Sequence, residues 1–466
     1  MAELRGSDLA LVREQLGREP VTDFSVVARC GTDHPLVIRN HPVDFEGKPF
    51  PTLFWLTCSE AVKAVSRIEA EGWIKRLDAR AGEDADFGAE LERAHREYAE
   101  ERGRMLAEAR SWGGVGGSRA GVKCLHAHYA NHIAGGADPV GAWVAQRVEP
   151  THPEEARHAD RLAAVDMGTN SIRLVVGKAA GDDFAELARD MVITRLGQGV
   201  DRRGRLDAEA LRRTLDVLER YLRRARALGA ERVRVAATSA VRDAGDRRLL
   251  EAEVERIAGS PPEVLSGLRE AELTFLGATA GLEAPAPYTV FDIGGGSTEL
   301  VRGSDRPERA VSVDVGSVRV TERVGPADPP TQDDLADMRR LAAEGLAGAE
   351  GAVPPGEGGT LVGVAGTTTT VQALSLGLDR YDPEAIHRTE LSLEAALDVA
   401  QLLASMTNAE RRALPVMAPG REDVIVGGCL ILLEIMRRWG FESCLVSERD
   451  ILDGLALEMV RGTASG

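Results

Sequence analysis

The sequence predicts an α/β fold in which two similar lobes face each other across a phosphate-binding cleft, preceded by a separate small α+β domain. Three observations support this. One pattern occurs twice, at Ala163–Ser171 and at Thr289–Glu299: an apolar strand, an Asp, a glycine-containing turn with hydroxyl side chains, then a second apolar strand (Ile172 to Val176; Leu300 and Val301). After residue 160, strands alternate with amphipathic helices, which is the order of α/β folds. Composition also shifts near residue 155, since eight of nine His, four of five Trp and three of five Cys precede residue 160.

Bulk properties set the frame. The 466 residues allow about three domains of ordinary size. The 57 basic against 74 acidic side chains give a net charge of -17, which excludes a general nucleic-acid or anionic-membrane binder. A polyanionic substrate then needs a local basic patch. No apolar segment follows Met1, and the longest apolar run, Val424 to Met436, is broken by Glu434, so neither a signal peptide nor a membrane span is expected. Five cysteines in a chain of this length fit the reducing cytoplasm.

Taken in order, residues 1–150 read as the N-terminal α+β domain, with strands at Phe24–Ala28 and Leu36–Ile38, helices at Glu60–Gly72 and Phe87–Glu108, and a glycine-rich break at Gly113–Gly121. Residues 151–160 are polar and proline-punctuated, a linker. Residues 161–285, with a returning C-terminal helix at 449–462, form the first lobe, and residues 286–448 the second. Within the first lobe, Leu211, Leu215, Leu218 and Leu222 make one face of a helix. Arg232–Ala237 is a strand, Asp246 the N-cap of the next helix, Glu263–Ser266 a short strand and Glu270–Gly281 a helix. In the second lobe a Gly/Pro loop, Val353–Gly359, separates helix Gln332–Gly348 from strand Leu361–Val364. The remainder is mostly helical, with one strand at Ser443–Val446.

The repeated turns carry the chemistry. Glycine permits positive φ and close backbone approach, so successive N–H groups converge on an anion while the Asp holds a cation or water opposite. A Walker loop is excluded because Gly113–Gly121 lacks the Gly-Lys-Ser/Thr ending. A Rossmann loop is excluded because Gly294–Gly296 leads into a strand and not a helix.

Six segments in fixed order, Asp166–Ser171, Ala237–Ala244, Ser266–Leu273, Asp292–Glu299, Val315–Arg319 and Val364–Thr369, resemble the exopolyphosphatase and guanosine pentaphosphate phosphohydrolase family over residues 160 to 462. The resemblance implies the actin, Hsp70 and sugar-kinase type of fold, with two ribonuclease-H-like lobes. It implies that Glu270 is the general base and Glu299 a second catalytic carboxylate. Asp166, Asp292 and Glu299 would face Mg²⁺ or Mn²⁺, and Gly168, Thr169, Asn170, Ser171, Gly294, Gly295, Gly296, Ser297, Thr298 and Arg242 would face substrate. This set fits phosphoanhydride hydrolysis, which needs an aligned water, a proton acceptor and positive charge over the equatorial oxygens. Two departures stand out. Arg269 precedes Glu270 where many relatives carry paired glutamates, so its cation either acts on the base or points away, and adjacent helix residues do not share a face. The chain also ends at Gly466 without the helical extension of longer relatives, which predicts reduced processivity on long polymers.

The first domain resembles the bacterial domain of unknown function family five hundred and one, through Pro35–Asn40, Pro49–Thr52, Trp55–Cys58 and Gly121–His128. Cys124, His128 and His132 fall at i, i+4 and i+8, one stripe if helical. That makes them candidate Zn²⁺ or iron ligands, with Cys58 or Cys30 completing the set, against the alternative of a half-buried packing face. The function expected is exopolyphosphatase, with guanosine pentaphosphate 5′-phosphohydrolase as the alternative. A sugar kinase, or a catalytically dead nucleotide- or polyphosphate-sensing protein of the same fold, stands further off. The expected partner is polyphosphate or guanosine pentaphosphate, without nucleic acid or membrane, and with a homodimer left open.

Overall fold

The computed structural model describes residues 8–30, 34–105, 113–118, 120–148 and 161–463. The expected linker at 151–160, residues 106–108 of the expected second helix and Arg119 of the glycine-rich break lie outside the described residues. Three sheets organise the chain. The first is antiparallel, in the order β1 (Phe24–Arg29), β2 (Pro35–Asn40), β3 (Phe54–Leu56). The second contains β4 (Arg161–Met167), β5 (Ser171–Ala180), β6 (Asp183–Ile193), β7 (Arg232–Ala237) and β8 (Glu263–Val264), in the order β6-β5-β4-β7-β8. The third contains β9 (Tyr288–Ile293), β10 (Thr298–Gly303), β11 (Pro307–Val313), β12 (Thr360–Val364), β13 (Thr389–Ser392) and β14 (Ser443–Val446), in the order β11-β10-β9-β12-β14-β13.

β4–β5 and β9–β10 are the two repeated hairpins, and each opens the sheet in which it lies. β12 runs parallel to β9 and β14, whereas β10 is antiparallel to β9, so the sheet is mixed. Helices Gln332–Ala347, Leu393–Ser405 and Ile425–Trp439 cover it with a core that includes Phe291, Leu300, Leu335, Leu346, Val399 and Ile431. Ile425–Trp439 is the long apolar run of the sequence, and here it is a core helix. Among the described residues no helix is long and apolar enough to cross a membrane.

Several elements differ from their expected form. β3, β6, β11 and β13 were not visible in the pattern: β6 mixes charged and apolar residues, and β13 is a four-residue edge strand. Gly72, in the left-handed region at φ 83°, ends helix Ser59–Ala70 and caps a further helix, Trp73–Glu83. Asp246 stands at the start of helix Arg247–Ala258 but does not cap it with its side chain; its carboxylate accepts instead from Leu206 N–H at 3.0 Å.

The chain forms two compact units. One comprises Met1–Ala163 with Val175–Asp190 and Leu218–Val233, and the other Ala164–Leu174 with Met191–Val217 and Arg234–Gly466. Within the first unit, the N-terminal sheet domain packs on chain that follows residue 174. Arg223 Nε donates to Gly135 O at 3.0 Å, and a Cβ on Gly135 would lie 2.7 Å from Arg220 O. Val26–Arg29 and Glu186–Arg189 line one small cavity. The N-terminal domain therefore makes direct contacts with chain beyond the linker segment. Helix Ala208–Ala227 carries more than its leucine stripe, and its arginines reach the N-terminal domain on another face.

Candidate active site

All the predicted phosphate-handling residues lie in the second unit. The two turns are built alike: Gly168 N–H donates to Ser171 O at 2.9 Å, and Gly294 N–H donates to Ser297 O at 3.0 Å. In neither turn do these glycines adopt positive φ, so the conformational reason expected for them is replaced by a spatial one. A Cβ on Gly295 would stand 3.1 Å from Thr169 Cβ, and one on Gly296 2.5 Å from Ser239 Oγ. Two turns that approach this closely leave no room for side chains. Thr169 Oγ1 and Ser239 Oγ are hydrogen-bonded at 2.9 Å. The N–H groups of Thr169, Asn170, Gly295 and Gly296 have no acceptor among the described residues, the pattern of an anion cradle.

Carboxylates stand on the strands that flank the turns and at the start of one helix. Asp292 and Glu299 are directly paired across the antiparallel β9–β10 hairpin, which puts both side chains on one face. Asp166 stands next to last in β4, and its Oδ2 accepts from Arg173 Nη2 at 2.6 Å and Nε at 3.1 Å while its buried Oδ1 has no partner. Arg173 also pairs with Asp450. Glu270 sits in the first turn of helix Gly267–Thr279, whose N-cap Ser266 accepts from Arg269 N–H. Its Oε2 lies 3.4 Å from Arg242 Nη1, which also donates to Leu265 O at 3.0 Å.

Electrostatics follow from this crowding. Burial, then the charges of Glu299, Asp292 and Asp166, push Glu270 well above the usual carboxylate range against the opposing pull of Arg242. Burial, then Glu299 and Asp450, raise Asp292 in the same way. Burial raises Glu299 to about 7, although Ser312 and Ser297 donate to its carboxylate. Asp166 is raised by burial despite Arg173. Four carboxylates short of positive charge, one of them with an orphaned buried oxygen, are donors of the kind a hard divalent cation takes, although no three of them bring ligand oxygens within 4.8 Å of one another.

Other predicted residues take more local roles. The Thr298 hydroxyl, fully buried, donates to Val315 O at 2.6 Å, which ties the turn to the segment before helix Ser317–Val324. Asn170 O accepts from the N–H groups of Thr194 and Arg195. Arg269 turns away from Glu270 to pair with Glu458 and Glu272, the second of the two orientations left open by the sequence. Sequence reasoning missed Arg173, a lone cation in an apolar strand, and Asp450, which reads only as a helix start because its carboxylate accepts from Leu452 N–H. It also missed Arg319, which donates to Gly296 O at 2.7 Å and pairs with Asp243 and Asp201 beside the turns. Two small residues place Asp450: a Cβ on Gly277 would meet Asp450 O at 1.9 Å, and one on Gly454 would meet Leu273 O at 2.0 Å. The terminal helix Ile451–Thr463 can therefore lie against Gly267–Thr279.

In the first domain, Cys124, His128 and His132 do not converge. His128 Nδ1 is held by Asp138 at 2.8 Å in a buried pair that Asn131 also joins, and Cys124 lies beside His126. His132 is half-buried, and desolvation lowers its pKa. Cys58 hydrogen-bonds Cys30 and not Cys124; that bond and burial raise its thiol far above the usual range.

Two mixed sheets with helices, each opened by a phosphate-type turn, define a phosphohydrolase of the actin-like fold class. Residues 174–462 match the model of the Ppx/GppA phosphatase family, and the chain belongs to that family. Residues 26–146 match a second model, a protein of unknown function (DUF501). Exopolyphosphatase 2 of Mycobacterium tuberculosis is 44% identical over 314 residues, which span 64% of this chain and 98% of that protein. A bifunctional 3-dehydroquinate synthase/phosphatase of Fusobacterium nucleatum is 32% identical over 325 residues, 64% of this chain and 46% of that one. Among solved structures, an exopolyphosphatase-like protein superposes with a TM-score of 0.63 at 38% identity, covering 65% of this chain and 98% of that one. The Aquifex aeolicus Ppx/GppA enzyme does so at 0.56 and 27%, covering 64% and 99%. The chain is a phosphoanhydride hydrolase by family.

Proposed function

We propose that this protein releases orthophosphate from the ends of inorganic polyphosphate. The observation that carries the reading is two phosphate-type turns with unpaired N–H groups, flanked by a cluster of four buried carboxylates. The name of the M. tuberculosis relative, matched over nearly its whole length, supports the same substrate. The turn N–H groups of Thr169, Asn170, Gly295 and Gly296, with Ser239 and Arg319 behind them, hold the terminal phosphate. Glu270, kept basic by burial and by neighbouring anions, takes the proton of the attacking water, and Arg242 beside it orients the carboxylate. Asp166, Asp292 and Glu299 would hold Mg²⁺ or Mn²⁺, which when bound neutralises phosphate oxygens and lowers the barrier to attack. Five free thiols fit a cytoplasmic enzyme. Guanosine pentaphosphate offers the same terminal anhydride and is the competing substrate.

Orthophosphate release from polyphosphate and from guanosine pentaphosphate, each with and without excess chelator, tests the proposal. Preference for polyphosphate and loss of turnover in chelator are expected. Faster turnover of guanosine pentaphosphate would reverse the substrate assignment, and full activity in chelator would remove the cation.

A further inference from the structure

We propose that the N-terminal domain carries a transition-metal site formed by Glu69, Cys124 and His126, a set distinct from the helical stripe predicted from sequence. Among the described residues this is the group of metal-binding type whose ligand atoms all lie within 4.8 Å of one another. Glu69 comes from helix Ser59–Ala70, and Cys124 and His126 from the start of helix Leu125–Ile133. His126 Nδ1 stands 3.2 Å from Glu69 Oε1 and 3.9 Å from Cys124 Sγ. An ion bonded at about 2.0–2.1 Å to nitrogen and oxygen and about 2.3 Å to sulfur has tetrahedral edges of roughly 3.3–3.7 Å. Both His126 distances lie within a few tenths of an ångström of these edges, and the Cys124–Glu69 pair closes to within 4.8 Å.

The imidazole's other nitrogen gives an independent reason. His126 Nε2 lies 3.1 Å from Val62 O, a carbonyl that can only accept, and 3.2 Å from Ser66 Oγ. Nε2 therefore carries a proton, and Nδ1 faces the Glu69 carboxylate oxygen. Burial lowers His126, but the Cys124 hydrogen bond and the Glu69 charge raise it to about 9, so without a metal a proton bridges Nδ1 and Glu69, and an ion would take that proton's place. A metal-binding His commonly donates its second N–H to a backbone carbonyl in just this way. Leu125 N–H, donating to Glu69 Oε1 at 2.7 Å, fixes the carboxylate from the outer side. His126 and Glu69 are 21% and 24% exposed, so the ion has an entry path and a fourth position open to solvent. Thiolate and imidazole select Zn²⁺ over Mg²⁺. Binding releases the Cys124 thiol proton and the His126 Nδ1 proton to solvent and leaves the imidazole neutral.

Cobalt titration of the full-length, chelator-stripped protein tests this, because a thiolate-to-cobalt charge-transfer band reports a cysteine ligand and the phosphatase site contains no cysteine. One equivalent of Co²⁺ producing the band, displaced by Zn²⁺, is expected. Cys124→Ser should abolish the band with the circular dichroism spectrum unchanged. His126→Ala and Glu69→Gln should weaken binding by more than about tenfold, the least that loss of an outer partner costs. Cys58→Ser should retain the band. Absence of the band in the wild-type protein, or its survival in Cys124→Ser, would overturn the site. Should Cys124→Ser misfold, undiminished affinity in both Glu69→Gln and His126→Ala would overturn it equally.

Discussion

Glu270 and Glu299 are both buried carboxylates in one anionic cluster, yet their surroundings prepare them for different work. Glu270 has a single guanidinium, Arg242, at 3.4 Å. Glu299 is tied by Ser312 Oγ at 2.6 Å. Glu270→Gln removes the proton acceptor and little else, so kcat should fall about 10²–10⁴-fold with KM and the thermal midpoint nearly unchanged. Near-wild-type kcat would remove Glu270 from that role. Glu299→Gln should raise the Mg²⁺ concentration needed for half-maximal rate and alter the pH dependence of stability. A carboxyl held at about 7 in the folded protein against 4.5 in the open chain stabilises the fold fully below 4.5 and less as pH rises through 7. In chelator, the wild-type protein should thus lose stability between pH 5 and 8 while Glu299→Gln loses less, the difference approaching about 3 kcal/mol. Identical pH profiles in thermal unfolding would contradict this.

At the scale of elements, glycines set the spacing of the site. The Gly294–Ser297 turn works because position 296 has no Cβ to meet Ser239 Oγ at 2.5 Å. Gly296→Ala should leave the β9–β10 hairpin folded but displace the cradle, costing roughly 10- to 100-fold in kcat/KM. Unchanged kcat/KM would separate this turn from substrate. Gly454 serves a different junction, where the contact is backbone: its Cβ would sit 2.0 Å from Leu273 O. Neither helix can yield by rotating a side chain, so Gly454→Ala should destabilise by at least about 1–3 kcal/mol. It should also reduce turnover by drawing Asp450 away from Arg173, as denaturant titration and steady-state kinetics would show.

For the whole molecule, we propose that the domain order is residues 1–150, a linker at 151–160, a first lobe at 161–285 with 449–462, and a second at 286–448. A relative matched over 98% of its length by 64% of this chain supports a catalytic part that folds by itself. The contacts of Gly135 with Arg220 and Arg223 show what removal of the first domain would uncover. Residues 158–466 produced alone should release phosphate from polyphosphate, with a thermal midpoint lower by on the order of 5–10 °C. A folded but inactive fragment beside an active full chain would place part of the site in the first domain.

The sequence by itself determined the α/β class, the repeated turn, the Leu218 and Leu222 stripe and the carboxylates Asp166, Glu270, Asp292 and Glu299. Local periodicity, and the residue types that phosphate chemistry demands, leave marks within a few positions of one another. Only the tertiary structure decided why the turn glycines are glycines, that Arg269 turns to Glu458, and that the Thr298 hydroxyl is spent on Val315. It alone brought Asp450 to Arg173, 277 positions away, and drew Cys124 to Glu69 and His126 instead of His128. Each of these depends on which distant backbone or charge arrives beside a side chain, and spacing along the chain carries no record of that.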